Sequence, residues 1–286
     1  MIDEPPRAAA PAIFERAAGQ HGAVSRRQAL DAGLSSSAIA RRLATGEWSA
    51  IDAGVYLLPG FPPSWLQSVA AACLATGGLA SHLTAGRLWR LALPPPSTHR
   101  IDVVVEAARR PRSTRSVRVH RTRAALAGQG VTVDGVPTSD LGPTLIQLGE
   151  VLGARALERA VDSATALRPG ILFWLADTLV ASRRGHRSSP KFRDLLGELL
   201  SDGTLDAEVE ALLTTARLAP TRRRHLGLDF AWLPQQVGLQ TFDHQAHDRW
   251  RELDALAAQG WRVLVTHERE VKTRPRALLA RLKAAL

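Results

Sequence analysis

Between Ala23 and Gly60, helix starts and stops recur so closely that few folds accommodate the stretch. Ser25 precedes "RRQALDAG", which closes at Gly33, and Ser35 precedes a segment from Ser36 to about Thr45, which closes at Gly46. A serine at such a position accepts a hydrogen bond from the first free backbone N–H groups, and a following glycine takes the left-handed conformation that ends a helix. Leu34, Ile39 and Leu43 give the second of these helices a buried stripe. Upstream, "AIFERAAGQHG" predicts a short helix closed by Gly19 or Gly22. Downstream, "EWSAI" and "VYLLP" predict two short strands joined around Gly54. Helix, helix, helix, hairpin over residues 12–60 is the order of a winged helix-turn-helix.

In that arrangement the third helix offers its N-terminal residues to the major groove of duplex DNA. Ser36 and Ser37, followed by Ala40 and Arg41, are the candidate readers. Arg26 and Arg27, opening the second helix, are placed to grip phosphates. The angle of Arg42 relative to Ile39 leaves it either facing DNA or flanking the helix. Use of the same module to bind a protein is the competing reading.

Charge supports a polyanionic partner. The 286 residues hold 37 Lys+Arg against 27 Asp+Glu, a formal +10, and lysine occurs only at Lys191, Lys272 and Lys283. Guanidinium forks suit phosphate and guanine edges. A coding bias toward arginine supplies the same excess, so position has to decide. Seven arginines lie in "EAARRPRSTRSVRVHRTR" (106–123) and three in "TRRRH" (221–225). Each run fits either a phosphate backbone or solvent, and neither has the interleaved aromatics of a single-strand binder.

Cys73 is the sole cysteine and sits in an apolar run, which excludes a disulfide framework and a cysteine zinc site. It is expected to be buried and inert. The N-terminus lacks the cation-then-apolar pattern of a secretory signal, and no apolar run approaches the length of a membrane span. A cytoplasmic protein with no membrane partner is expected.

The fold class expected is α+β. After the N-terminal unit, residues 61–180 read as a middle α+β domain. It holds helices from Ser64 to Thr76 and after Ser81, strands at 100–106 and 116–122 paired around the loop between them, and a helical stretch from Thr138 to Ser163. Residues 182–191 are the linker candidate. Residues 192–286 read as α-β-β-α-β-α, with strands at 226–232, 236–242 and 261–267 and a last helix over 275–285.

Two resemblances attach to these residues. "AVSRRQALDAGLSSSAIARRLATGEWSAIDAGVYLLPG", followed by "AACLATGGLASHLTAGRLWRL" and "GVPTSDLGPTLIQLGEVL", resembles the AbiEi-type antitoxins of abortive-infection toxin–antitoxin operons. The likeness covers most of residues 20–165. It implies a winged helix that binds double-stranded DNA, often to repress its own operon, and a cognate toxin as a protein partner. "LDFAW" and "DALAAQGWRVLVT" resemble very-short-patch-repair-like members of the PD-(D/E)XK nuclease superfamily, which implies a restriction-endonuclease-like α/β core.

Active members of that superfamily place carboxylates on adjacent strands around Mg²⁺, with a lysine or acid beside them. Asp229 keeps the first acid, but Gln240 stands where the second is expected and Phe242 where the next acid or lysine is expected. A one-residue slip to Asp243 would turn its side chain to the other strand face. Glu208 or Glu210, on the preceding helix, offers a substitute acid. The sequence thus predicts remnant positions at Asp229, Gln240 and Phe242, no catalysis, no metal and no cofactor, with Mg²⁺ required only if the domain is an active endonuclease. "DHQAHD" (243–248) carries metal-ligand types at Asp243, His244, His247 and Asp248, though a solvated loop explains them as well. The function expected is a DNA-binding transcriptional regulator and antitoxin. The alternatives are a Mg²⁺-dependent endonuclease guided by the winged helix and a protein-binding antitoxin with secondary DNA contacts.

Overall fold

A computed structural model describes residues 9–96, 100–109, 111, 114–123, 130–182, 205–242 and 248–286. The chain mixes helix and sheet and divides into two units, one formed by residues 1–90 and 94–144, the other by 91–93 and 145–286. The division falls inside the 61–180 segment.

The first unit opens with α1 (Ala9–Ala18), β1 (Ala23–Ser25), α2 (Arg26–Asp31), α3 (Ser36–Ala44), β2 (Ser49–Asp52) and β3 (Val55–Leu57). The serine caps form as their positions require. Ser25 Oγ accepts from Gln28 N at 3.2 Å, and the Gln28 side chain accepts from Ser25 N at 2.9 Å, which closes a capping box. Ser35 Oγ accepts from Ala38 N at 3.1 Å. The strands form an antiparallel sheet of order β1-β3-β2. Leu34 and Ile39 join Ile13, Val24, Trp48 and Tyr56 in a small core, with Leu43 packed at its margin.

Next comes α4 (Trp65–Thr76), which is apolar almost all round because it is covered on more than one side. Val69 to Cys73 pack with Ala23 and Val55 of the first sheet, and with Ile101, Val103 and Val105 of the next. That second sheet comprises β4 (Leu79–Ala80), β5 (Ile101–Glu106), β6 (Val117–Thr122), β7 (Gly130–Val133) and β8 (Val136–Ser139), in the order β6-β5-β4-β8-β7. Helix α5 (His82–Leu88) follows β4. The expected hairpin between 100–106 and 116–122 is corrected here: β5 and β6 run parallel, Ile101 opposite Val117 through to Glu106 opposite Thr122. Parallel neighbours cannot be joined by a tight hairpin turn. The predicted helix from Thr138 is replaced at its start by the end of β8.

The second unit contains most of α6 (Leu141–Val151), together with α7 (Ala154–Leu167), α8 (Ile171–Ser182), α9 (Leu205–Thr215), β9 (Arg222–His225), β10 (Leu228–Trp232) and β11 (Val237–Thr241). It closes with α10 (Arg249–Ala258), β12 (Arg262–Thr266), α11 (Glu268–Thr273) and α12 (Pro275–Ala285). Strands β9, β10 and β11 form an antiparallel meander, and β12 joins β11 in parallel, giving the order β12-β11-β10-β9. One side of the sheet is sealed by Phe230, Trp232, Val237 and Leu239 against Val209, Leu213, Leu278 and Leu282.

The expected α-β-β-α-β-α order is thus short by a strand and a helix. Arg222-Arg223-Arg224 has no apolar alternation, so β9 is legible only from its partner: Arg223 lies opposite Phe230 and its guanidinium covers that ring at 5.3 Å. The linker candidate, save Ser182, and residues 243–247 of "DHQAHD" lie outside the described residues.

Candidate nucleic-acid interface

Three elements of the first unit meet at Arg26. Its backbone N–H donates to Gly54 O at 2.7 Å and its guanidinium Nη2 to Ser36 Oγ at 2.8 Å. One residue thereby ties the start of α2, the start of α3 and the β2–β3 turn together. Gly54 holds φ +70°, a turn conformation that a glycine adopts freely. The guanidinium has further N–H donors besides the one given to Ser36.

Arg27 is almost fully exposed and lies 3.8 Å from Asp31, one helical turn on. Ser37 Oγ lies 2.9 Å from Ser35 Oγ. Arg41 is exposed, and its guanidinium has no hydrogen-bond or ion-pair partner among the described residues. Arg42 behaves differently: its side chain is only 11% exposed, it donates to Ala38 O at 3.2 Å, lies 3.3 Å from Glu47 and covers the Trp48 ring. Its side chain thus packs along the flank of α3. Exposed positive charge on α2 and α3 is therefore carried by Arg26, Arg27 and Arg41, beside the small polar Ser36 and Ser37.

In the basic run at 106–123, Arg109, Arg115, Arg121 and Arg123 are exposed, and Arg118 and Arg121 have contacts within the fold. Arg118 lies 3.9 Å from the buried Asp102, whose carboxylate also meets His120 Nε2 at 2.9 Å, and His120 stacks on buried His82 with ring centroids 3.6 Å apart. Arg121 donates to Pro111 O. Arg110 and Arg112 lie outside the described residues. Cys73 is buried as expected, and burial pushes its thiol up to about 12, which makes it inert.

In the second unit, Gln240 and Thr241 gather around Asp229, and Phe242 does not join them. Asp229 Oδ2 accepts from Gln240 Nε2 at 2.6 Å and from Thr241 N at 2.8 Å, and lies 2.6 Å from Thr241 Oγ1. That hydroxyl also reaches Asp206 Oδ1 at 2.8 Å, and a single hydroxyl proton serves two carboxylates there. Burial raises the Asp229 pKa, opposed mainly by the Thr241 hydrogen bonds, and the nearby Asp206 raises it further. On the far side of Gln240, its Oε1 accepts from Arg249 Nη2 at 3.0 Å, and Arg249 is paired in turn with Glu252.

A divalent ion here would need oxygen ligands facing one point. The Gln240 amide instead turns its NH₂ to Asp229, and the Arg249 guanidinium fills the next place. This donor set does not fit Mg²⁺. No group of three or more His, Cys, Asp or Glu suited to a metal occurs among the described residues. Neither Glu208 nor Glu210 reaches Asp229: Glu208 lies by Lys272, and Glu210 is held by Arg223. Phe242 packs its ring against Phe173, centroids 4.7 Å apart. Asp248 pairs with Arg251 at 2.8 Å.

The sequence pointed to Asp229 and Gln240 but gave no sign of Asp206, Thr241 or Arg249. Asp206 lies in the first turn of a helix, 23 residues before Asp229, and Arg249 starts a helix 20 residues after it, so only the folded sheet assembles them. No helix among the described residues is long and apolar enough to cross a membrane. A search of curated proteins finds no match. A family model does match, over residues 11–59, which is α1 through β3 and the turn beyond: its description is transcriptional regulator, AbiEi antitoxin.

Proposed function

We propose that this chain is a DNA-binding transcriptional regulator in which residues 12–60 act as a winged helix-turn-helix on double-stranded DNA. The observation that carries the reading is Arg26, which fixes the first turn of α3 to the β2–β3 turn through Ser36 Oγ and Gly54 O. A recognition helix and a wing held in fixed relation are what a groove-reading module needs. Arg41 and Arg27 are then phosphate contacts, and Ser36 and Ser37 sit where the helix closes on the groove. The family description over residues 11–59 extends the proposal to an antitoxin role, with a toxin protein as second partner.

The C-terminal segment fits the same proposal as a nuclease-like core without chemistry. The three-stranded meander with a parallel fourth strand, and the Asp206–Asp229 pair at its centre, support descent from a metal nuclease. Gln240 and Arg249 speak against activity, because they place donors where a dication requires acceptors. The endonuclease reading and the reading as a purely protein-binding antitoxin are the rivals.

A gel-shift titration against the chain's own promoter region tests the reading. Arg41→Ala and Arg26→Ala are each expected to weaken binding, by about 1–3 kcal/mol where a base contact is lost and equally on all sequences where a phosphate contact is lost. Full retention of affinity in both variants would refute α3 as the reader.

A further inference from the structure

The β9–β10 hairpin of the second unit carries a feature that its fold does not need. His225 pairs with Leu228, so Leu226 and Gly227 make a two-residue turn, with φ of +51° and +79°. A turn with both central residues left-handed is the tight hairpin turn that asparagine or aspartate followed by glycine adopts most readily. Gly227 suits its place, since a Cβ there would stand 2.7 Å from the Arg249 guanidinium below the turn. Leu226 does not suit its own. It is 53% exposed, so it gains little from burial while holding a backbone conformation that leucine disfavours. An exposed leucine needs no explanation by itself, but one held in this conformation does.

Its surroundings indicate what it meets. Arg222 and Arg224 are exposed and have no partner among the described residues, whereas Arg223 between them is spent on Glu210 and the Phe230 ring. Arg224 too is left-handed, with φ +49°. An apolar tip flanked by free guanidiniums matches a minor groove, where arginines take phosphates and an aliphatic side chain meets sugar and base edges. Glu210, the carboxylate that Arg223 holds, is thereby neutralised.

We propose that the β9–β10 hairpin is a second duplex-DNA contact, with Leu226 as an apolar tip in the minor groove and Arg222 and Arg224 on the flanking phosphates. It rests on the reading that the chain binds duplex DNA, and it adds a sequence-independent grip in the second unit to the groove-reading module in the first.

The test uses the full chain and a short fluorescein-labelled duplex of mixed sequence, followed by anisotropy across a salt series. Arg222→Ala with Arg224→Ala should lower affinity about tenfold and reduce the salt slope by about two phosphates' worth. Arg155→Ala with Arg276→Ala, which removes the same charge elsewhere in the unit, should leave the slope near that of the wild type. Leu226→Asn separates fold from contact: it supplies the residue the turn favours, so Tm should rise by about 2–4 °C while affinity falls about threefold or more. Unchanged affinity and slope in the double variant, or a Leu226→Asn protein that binds as tightly as the wild type, overturns the inference. Loss in the hairpin variants with no loss in Arg26→Ala and Arg41→Ala upholds it and overturns the winged-helix reading instead. The reverse pattern overturns the hairpin contact alone.

Discussion

At residue 240 a carboxamide stands between a carboxylate and a guanidinium, and the two ends of that group decide the chemistry of the site. The NH₂ donates to Asp229 and the carbonyl accepts from Arg249, so one neutral side chain satisfies an anion and a cation that do not touch each other. Gln240→Ala would remove one hydrogen bond from each while leaving Asp229 its Thr241 donors and Arg249 its Glu252 partner, at a cost of about 1–3 kcal/mol in all, readable in denaturant unfolding. His267 shows the same dependence on its surroundings. It caps α11 through its ring, accepting from Glu270 N at 3.3 Å, and burial lowers its pKa from 6.5 to about 4. The guanidiniums of Arg274, Arg281 and Arg269 push in the same direction and Asp162 opposes them. The unfolded chain binds a proton there below about 6.5, and the folded protein does so only near 4. The neutral ring's contribution is therefore whole above that upper value and is lost as pH falls through the window, by about 3 kcal/mol. His267→Asn keeps a cap and removes the titration. Unfolding free energies of the variant and the wild type should diverge in its favour between pH 7 and pH 4, and the pairwise comparison cancels the opposite trends of Asp229 and Glu270.

Among the elements, those fixed by neighbours in sequence were legible and those fixed by neighbours in space were not. Ser25 and Ser35 announce α2 and α3 because a cap lies within three residues of the N–H it satisfies. Gly54 announces its turn for the same reason. Strand β9 has no such signal, since three adjacent arginines become a strand only when β10 supplies the ladder. The parallel pairing of β5 with β6 was equally hidden, because apolar alternation gives strand identity without direction. The Asp229 cluster lies between these cases: two of its residues stood out in the sequence, while Asp206, Thr241 and Arg249 come from other elements. The same logic gives an element-scale prediction. Ser35→Ala removes the α3 cap at a cost of about 1 kcal/mol, seen as a lower Tm. DNA affinity should fall with it, because Arg41 and Ser36 are delivered by that helix, and Ser35→Asp should restore the Tm. Retention of DNA affinity in a Ser35→Ala protein of reduced Tm would separate α3 from the DNA contact.

For the whole molecule, net charge and the Asp229 cluster lead to one expectation. A chain of formal +10 is attracted to nucleic acid along its length, so binding to plasmid DNA alone says nothing about cleavage. The deciding measurement is nicking or linearisation of a supercoiled plasmid with Mg²⁺ or Mn²⁺, at a salt concentration where the protein is bound. No cleavage is expected, on electrostatic grounds. Two carboxylates, Asp206 and Asp229, share the Thr241 hydroxyl, and burial favours the protonated form of Asp229. Beside Asp229 stand the NH₂ donor of Gln240 and, beyond it, the Arg249 guanidinium, where a dication would need oxygen acceptors. A cation already built into the fold repels a second one, and removing it exposes Asp229 without adding a further carboxylate. Arg249→Ala should therefore remain inactive, and it should lose stability because Gln240 and Glu252 both lose their partner. Mg²⁺-dependent cleavage by the wild type that disappears in Asp229→Ala would reverse the assignment, making Gln240 a ligand through its carbonyl and the chain an endonuclease targeted by its first unit. Cleavage that survives Asp229→Ala would assign the activity to a contaminant or to a different site, and leave the Asp229 cluster as the closed hydrogen-bond network that the distances describe.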